Sequence, residues 1–223
     1  MPLISHRGAA HLAPANSFDA IKKGDSYQPD YVEVDINCTI DNILVIYHGS
    51  VSRFLQGKKT RESYAELKTK YPYLMTLDEF TAKKISSAYI FDLKVFDDSS
   101  MESTITALHK LGRDDFAFTS PHEKALLAVK KAFPNSLIFQ SQPYHHGPIT
   151  ALEIARKHNF EGVALNKWWM TPLVYRLCKA HGKLIDCYTV DSTFGIKMIQ
   201  RFFPDVYITT NRPDIYRKYF PKV

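Results

Sequence analysis

Short runs of β-branched and aromatic residues alternate with longer amphipathic stretches along this chain, and they do so eight times. The strand-like runs cover residues 3–6, 31–37, 88–93, 115–119, 136–140, 162–165, 184–189 and 206–209, with a further short run at 44–48 close behind the second. Helix-like segments follow them at 17–27, 100–111, 122–133, 149–158, 172–181, 193–202 and 213–219, with irregular and helical material after the second strand. Met101, Ile105 and Leu108 keep helical spacing, Asn16 reads as an N-cap, and Ser120-Pro121 reads as a cap with proline at the first helical position. Alternation of this kind predicts a parallel sheet. Eight units that close on themselves form an α/β TIM (β/α)8 barrel, which needs roughly 200 residues or more; the chain has 223. An open doubly wound sheet is the alternative, but no Gly-rich nucleotide loop follows the first strand. With neither a residue-level repeat nor a low-complexity linker, residues 1–223 are expected to form a single compact domain without a large insertion.

Composition narrows the class. A hydrophobic fraction of 45% and a charged fraction of 23% are ordinary for a soluble domain. No stretch approaches the roughly 18 apolar residues of a membrane helix. The first residues do not read as a signal peptide, so a cytoplasmic location is expected. Cys38, Cys178 and Cys187 have no CxxC spacing and are expected to be small buried hydrophobes. The net charge of +6 suits an anionic substrate, lipid or nucleic acid. The basic residues are spread out, and their densest group, Lys58-Lys59-Thr60-Arg61, is too small to predict nucleic-acid binding.

Barrel active sites lie at the C-terminal ends of the strands. In this chain those ends carry His6-Arg7-Gly8, Glu33 with Asp35, Tyr47-His48-Gly49, Asp92-Leu93-Lys94, Ser120, and Thr210-Asn211-Arg212-Pro213. Glu33 and Asp35 are two apart on a strand and face the same way, opposite Val32, Val34 and Ile36. Carboxylates crowded inside a barrel repel one another and lose hydration, and a divalent cation offsets both costs. Asp92 supplies a third oxygen, and an all-carboxylate site favours Mg²⁺ or Ca²⁺. Pairing of Glu33 and Asp35 with Arg7 and Lys94, without metal, is the competing reading. His6 and His48 suit general acid–base work, and Arg7 and Lys94 put positive charge where a phosphate would lie. His109, His158 and His181 fall on predicted helices; His11, His145 and His146 fall in loops. The combination suggests displacement at phosphorus.

At these residues the chain resembles the glycerophosphodiester phosphodiesterase family. The family's opening His-Arg-Gly and Pro-Glu-Asn-Thr/Ser stretch stand here as His6-Arg7-Gly8 and Pro14-Ala15-Asn16-Ser17. Its Glu-x-Asp-x-x-x-Thr-x-Asp is matched by Glu33, Asp35, Thr39 and Asp41, and its following His-Asp by His48-Gly49. Its Glu-x-Lys appears as Asp92-Leu93-Lys94, its strand-four serine as Ser120, and its closing Thr-Asp/Asn-x-Pro as Thr210-Asn211-Arg212-Pro213. The resemblance implies a TIM barrel that hydrolyses glycerophosphodiesters to sn-glycerol 3-phosphate and an alcohol, in lipid and glycerol metabolism. It implies Glu33, Asp35 and Asp92 as ligands of Mg²⁺ or Ca²⁺, His6 and His48 as the acid–base pair, and Arg7, Lys94 and Ser120 on the substrate. It also implies that the substrate's own hydroxyl attacks phosphorus, and the chain offers no GxSxG nucleophile that would compete.

The chain departs from the family's pattern at four positions. Ala15 replaces a glutamate and Gly49 an aspartate, both subtracting negative charge; Asp92 is one methylene short of the usual glutamate; Tyr188-Thr189 replaces Trp-Thr. Two further readings therefore stand beside the hydrolase: a lysophospholipase D or cyclising lyase, and a non-catalytic barrel that binds phosphate ligands. The stretch from His48 to Asp92, with Arg53, residues 57–60 and residues 73–80, matches the family's shorter form and predicts an open mouth. Tyr144, Trp168 and Trp169, after the fifth and sixth main strands, are placed to rim it. Such an aromatic rim suits a quaternary ammonium or a lipid tail, with packing of one or both tryptophans on the barrel as the alternative, and Tyr188 and Trp168 are expected on the substrate. The expected partner is a small-molecule diester, with no nucleic acid and no integral membrane segment; oligomeric state is not legible.

Overall fold

The computed structural model describes residues 2–50, 58–95, 97–142 and 147–222. The expected Arg53, Gly57, Tyr144, His145 and His146 lie outside the described residues. The strands are β1 (Leu3–Ser5), β2 (Tyr31–Cys38), β3 (Leu44–Ile46), β4 (Ala88–Leu93), β5 (Ala117–Ser120), β6 (Leu137–Ser141), β7 (Gly162–Asn166), β8 (Leu184–Tyr188) and β9 (Tyr207–Thr210). The helices are α1 (Phe18–Ser26), α2 (Tyr64–Lys70), α3 (Leu77–Thr81), α4 (Asp98–His109), α5 (Glu123–Ala132), α6 (Pro148–Lys157), α7 (Pro172–Ala180), α8 (Thr193–Phe202) and α9 (Pro213–Tyr219), with a 3-10 turn at Lys167–Trp169. All strands except β3 pair in parallel, and β1 pairs with both β2 and β9, which closes the barrel. β3 runs antiparallel along the upper part of β2. No helix of the described residues is long and apolar enough to cross a membrane.

Strand periodicity sorts the side chains into two cores. Val32, Val34, Ile36, Tyr89, Phe91 and Leu93 face outward into the layer between barrel and helices. Ile4, Ile90, Ala117, Phe139 and Ala164, with Tyr31, Leu137, Leu184 and Tyr207 against them, plug the barrel axis. That plug is a floor, and the inward positions above it carry polar side chains. Cys38, Cys178 and Cys187 are free and buried, as expected for small hydrophobes.

Two helix starts differ from expectation. Ser17, not Asn16, caps α1 by accepting from the Ala20 N–H, because Asn16 takes a left-handed conformation (φ 63°) and turns its amide elsewhere. Ser120 does not cap α5; that helix starts after His122, and Ser120 belongs to β5. α2 and α3, unassigned by periodicity, each open with a capping box, Ser63 with Glu66 and Thr76 with Glu79, in which side chain and backbone satisfy each other's orphan donors.

Candidate active site

A cavity of about 440 Å³ opens at the C-terminal end of the strands, lined by His6, Arg7, Glu33, His48, Asp92 and Lys94 on one wall. Thr119, Ser141, Gln142, Asn166, Trp168, Asp186, Tyr188 and Thr209 line the opposite side.

The carboxylates come together because β2 and β4 pair in register, with Asp35 directly across from Asp92 and Glu33 one inward step below Asp35. Glu33, Asp35 and Asp92 each offer an oxygen within 4.8 Å of the others'. Lys94 is only 4% exposed. Its ammonium lies 3.1 Å from Asp35 Oδ1 and also donates to Asp92 Oδ2. Arg7 Nε stands 3.3 Å from Asp35 Oδ2, while the Arg7 backbone N–H donates to Glu33 Oε2 at 2.6 Å. Asn16, read from the sequence as an N-cap, donates from Nδ2 to Asp35 Oδ2 (2.7 Å) and accepts from the Asp35 N–H (3.2 Å).

This charge pattern sets the protonation states. Burial, then the neighbouring Asp35 and Asp92, push Glu33 well above the usual carboxylate range. Burial would raise Asp35 too, but Lys94, His48, Arg7 and the Asn16 hydrogen bond outweigh it and hold Asp35 low. Burial raises Asp92, partly offset by Lys94. For Lys94 the attraction of Asp92 and Asp35 overrides burial and raises it. The cluster also fits a divalent cation. It offers three convergent hard oxygen donors, and Asp92 Oδ1 is buried without a hydrogen-bond partner among the described residues.

Both histidines are held with one nitrogen committed. His6 Nδ1 is 2.8 Å from Asn211 Oδ1. The Asn211 amide nitrogen donates to Asp191 Oδ2 (2.8 Å), which fixes the carbonyl end toward His6 and makes Nδ1 the protonated nitrogen. His6 Nε2 then points at Glu33 Oε2, 3.9 Å away. Burial, then Arg7, lowers His6 to about 4, so the ring is neutral. His48 Nδ1 lies 3.0 Å from the Gly49 carbonyl, which only accepts, so Nδ1 carries the proton and Nε2 keeps its lone pair. Burial lowers His48 as well. Gly49 therefore lacks the aspartate of the family pattern but supplies an orienting acceptor from its backbone. Its φ of +71° and an Asn37 Nδ2 only 2.6 Å from where a Cβ would sit leave no room for a side chain.

Strand parity separates the remaining expected residues. Ser120, expected on the substrate, is fully buried and points outward; its hydroxyl donates to the Leu93 carbonyl (2.8 Å) and accepts from the His122 N–H. The inward neighbour, Thr119, lines the cavity instead. Tyr188 lines it, with its hydroxyl 3.4 Å from Ser141 Oγ. Trp168 lines the mouth yet is 80% exposed, and Trp169 is exposed beside it. The sequence reading also passed over Asp186, a buried carboxylate on the cavity wall that accepts from Thr209 Oγ1 at 2.6 Å. A lone acid in the apolar run of β8 was the available signal.

The model of the Glycerophosphoryl diester phosphodiesterase family matches residues 6–215. Solved structures share the fold along the whole chain. A proposed glycerophosphodiester phosphodiesterase from Galdieria sulphuraria is 18% identical, with a TM-score of 0.84 over 100% of this chain and 98% of that one. A glycerophosphodiester phosphodiesterase from Parabacteroides distasonis is 22% identical, with a TM-score of 0.79 over 98% and 95%. An Oleispira antarctica phosphodiesterase, solved with the product sn-glycerol-3-phosphate, is 19% identical, with a TM-score of 0.75 over 100% and 97%. No curated protein matches.

Proposed function

Since the chain belongs to the glycerophosphoryl diester phosphodiesterase family, we propose that its strand-end cavity hydrolyses glycerophosphodiesters by metal-assisted acid–base catalysis with His6 and His48. The observation that carries this reading is two neutral imidazoles, each with Nδ1 committed and Nε2 unprotonated, on one cavity wall with three convergent carboxylates. Glu33, Asp35 and Asp92 would hold Mg²⁺ or Ca²⁺, which when bound polarises the phosphoryl oxygens and lowers the pKa of a coordinated hydroxyl.

The chain's own residues do the rest. His6 Nε2, neutral and beside Glu33, takes the proton of the glycerol hydroxyl as its oxygen bonds to phosphorus. The bond from phosphorus to the leaving alcohol breaks as His48, which first takes a proton from solvent onto Nε2, passes that proton to the departing oxygen. In the second half the roles reverse: water attacks, a histidine takes its proton, and the ring oxygen is reprotonated to leave sn-glycerol 3-phosphate. Arg7 and Lys94 keep positive charge beside the carboxylates and the incoming phosphate. Tyr188 and Trp168 contact the organic groups, and Ser120 positions the turn between β5 and α5 rather than touching substrate.

Glycerophosphocholine turnover in Mg²⁺, Ca²⁺ or EDTA, beside His6→Ala and Glu33→Ala, tests the proposal. The expected result is loss in EDTA and in both variants. Turnover indifferent to all three would refute the site. A cyclic phosphate as the final product would replace hydrolase by lyase, and no turnover with any diester would leave a binding barrel.

A further inference from the structure

The three most exposed large apolar side chains among the described residues, Trp168, Leu173 and Phe194, lie at the end of the barrel where the cavity opens. Trp168 (80% exposed) and Trp169 follow β7, Leu173 (74%) lies in the first turn of α7, Phe194 (74%) in the first turn of α8 after β8, and Ile149 in the first turn of α6 after β6. All follow the C-terminal ends of three adjacent strands, the end at which the cavity opens. They are surplus to folding. α7 already buries Val174 and Cys178, α8 buries Ile196 and Ile199, and α6 buries Ala151, Leu152 and Ala155. Exposed apolar residues are common singly, but a contiguous set rimming an opening marks an interaction surface.

Charge selects the occupant. Lys167 holds its ammonium 5.4 Å from the Trp168 ring centroid, Arg176 lies one turn into α7, and Lys197, one turn into α8, rests its ammonium over the Tyr219 ring. Over the same reach, residues 147–153, 166–176 and 189–197, the carboxylates are Glu153 and Asp191, and Asp191 is taken up by Thr210 and Asn211. Tryptophan, leucine and phenylalanine beside basic residues that outnumber the acids, on a chain of net charge +6, is the composition of a lipid-interface anchor.

We propose that the rim formed by Ile149, Trp168, Trp169, Leu173 and Phe194 docks on an anionic lipid surface and turns the cavity toward it. Resting on the phosphodiesterase reading above, this makes the preferred substrate a monoacyl glycerophosphodiester. Its phosphodiester enters the cavity while its acyl chain stays at the interface beside Trp168. The chemistry at phosphorus is unchanged; only the delivery of substrate differs.

The chain's two tryptophans are Trp168 and Trp169, so tryptophan emission, excited selectively over tyrosine, reads this rim alone. Full-length protein is titrated with phosphatidylcholine vesicles, with or without about 30 mol% phosphatidylserine, and binding is checked by flotation. Expected are a blue shift and co-flotation with the anionic vesicles. The double variant Leu173→Glu/Phe194→Glu should weaken binding by about tenfold or more. It should cut turnover of vesicle-borne lysophospholipid while leaving soluble glycerophosphodiester turnover unchanged; both sites are exposed, so folding is preserved. No blue shift with anionic vesicles, equal binding to neutral ones, or binding that survives the double variant would each overturn the docking proposal. A blue shift that grows with protein concentration and needs no vesicle would overturn it in favour of self-association. Vesicle binding requires no catalysis, so a protein that docks but turns over no diester refutes the phosphodiesterase reading and leaves the docking surface standing.

Discussion

Replacing Lys94 with methionine keeps the length of the side chain and removes its charge. In the native structure that ammonium sits against Asp35 and Asp92, nearly without solvent. Removing one partner of a buried ion pair costs about 3–5 kcal/mol, because the other is left as an uncompensated buried charge. Two features keep the cost near the lower end. Arg7 still faces Asp35, and the Asp92 side chain is 22% exposed. A loss of about 3 kcal/mol in a domain of this size corresponds to a Tm lower by roughly 6–12 °C. Thermal melts in EDTA at pH 7.5 measure it. The penalty should shrink in acid. Asp35 is depressed in the folded state, so its contribution is present above the unfolded carboxylate range and is lost as pH falls through the folded value. Divalent metal should restore part of the stability, since it would take the same Asp35 and Asp92 oxygens; saturation at 100 times Kd supplies about 2.7 kcal/mol. An unchanged Tm for Lys94→Met in EDTA would refute the buried pairing. A variant that melts early but gains nothing from Mg²⁺ or Ca²⁺ would refute the metal assignment of the carboxylates.

Other predictions follow from the same geometry. Burial raises Asp186 from 3.8 to about 7, against the opposing Thr209 hydrogen bond and with a smaller push from Asp92. A raised carboxylate destabilises the fold progressively from about pH 4 to pH 7, by on the order of 4 kcal/mol. Asp186→Asn should flatten that part of the stability profile in urea melts, and an unchanged slope would count against the buried carboxylate. Gly8 has φ +83°, and a Cβ there would lie 2.4 Å from the Ala20 carbonyl carbon, so Gly8→Ala should cost at least about 2 kcal/mol in urea unfolding. Asp191→Ala frees the Asn211 amide to rotate and releases the His6 tautomer. Steady-state kinetics should show kcat falling by about tenfold to a hundredfold with KM little changed, and a pure KM effect would contradict the relay.

Period-two and period-3.6 patterns are local properties, so the alternation of runs was enough to expose the barrel. Barrel closure then placed the polar strand ends together, which is why His6, Glu33, Asp35 and Asp92 could be named from sequence. The inward direction of Thr119 rather than Ser120 also follows from strand parity, and the capping boxes at Ser63 and Thr76 are local Ser/Thr-x-x-Glu patterns. What sequence order cannot express is which distant residues meet. Asn211 is 205 positions from His6, yet it sets that ring's tautomer, because β1 and β9 are neighbours only once the sheet closes. Asn16 reaches Asp35 only because a left-handed backbone turns its amide inward, and Gly49 serves His48 through a carbonyl that no side-chain motif records. Lys94 lies between two carboxylates, the nearest charges inside a low-dielectric wall, and that pairing is set by the register of β2 and β4. The reacting groups were therefore written in the strand ends, while their protonation states and orientations were decided by the closed barrel, which alone sets burial and long-range hydrogen bonding.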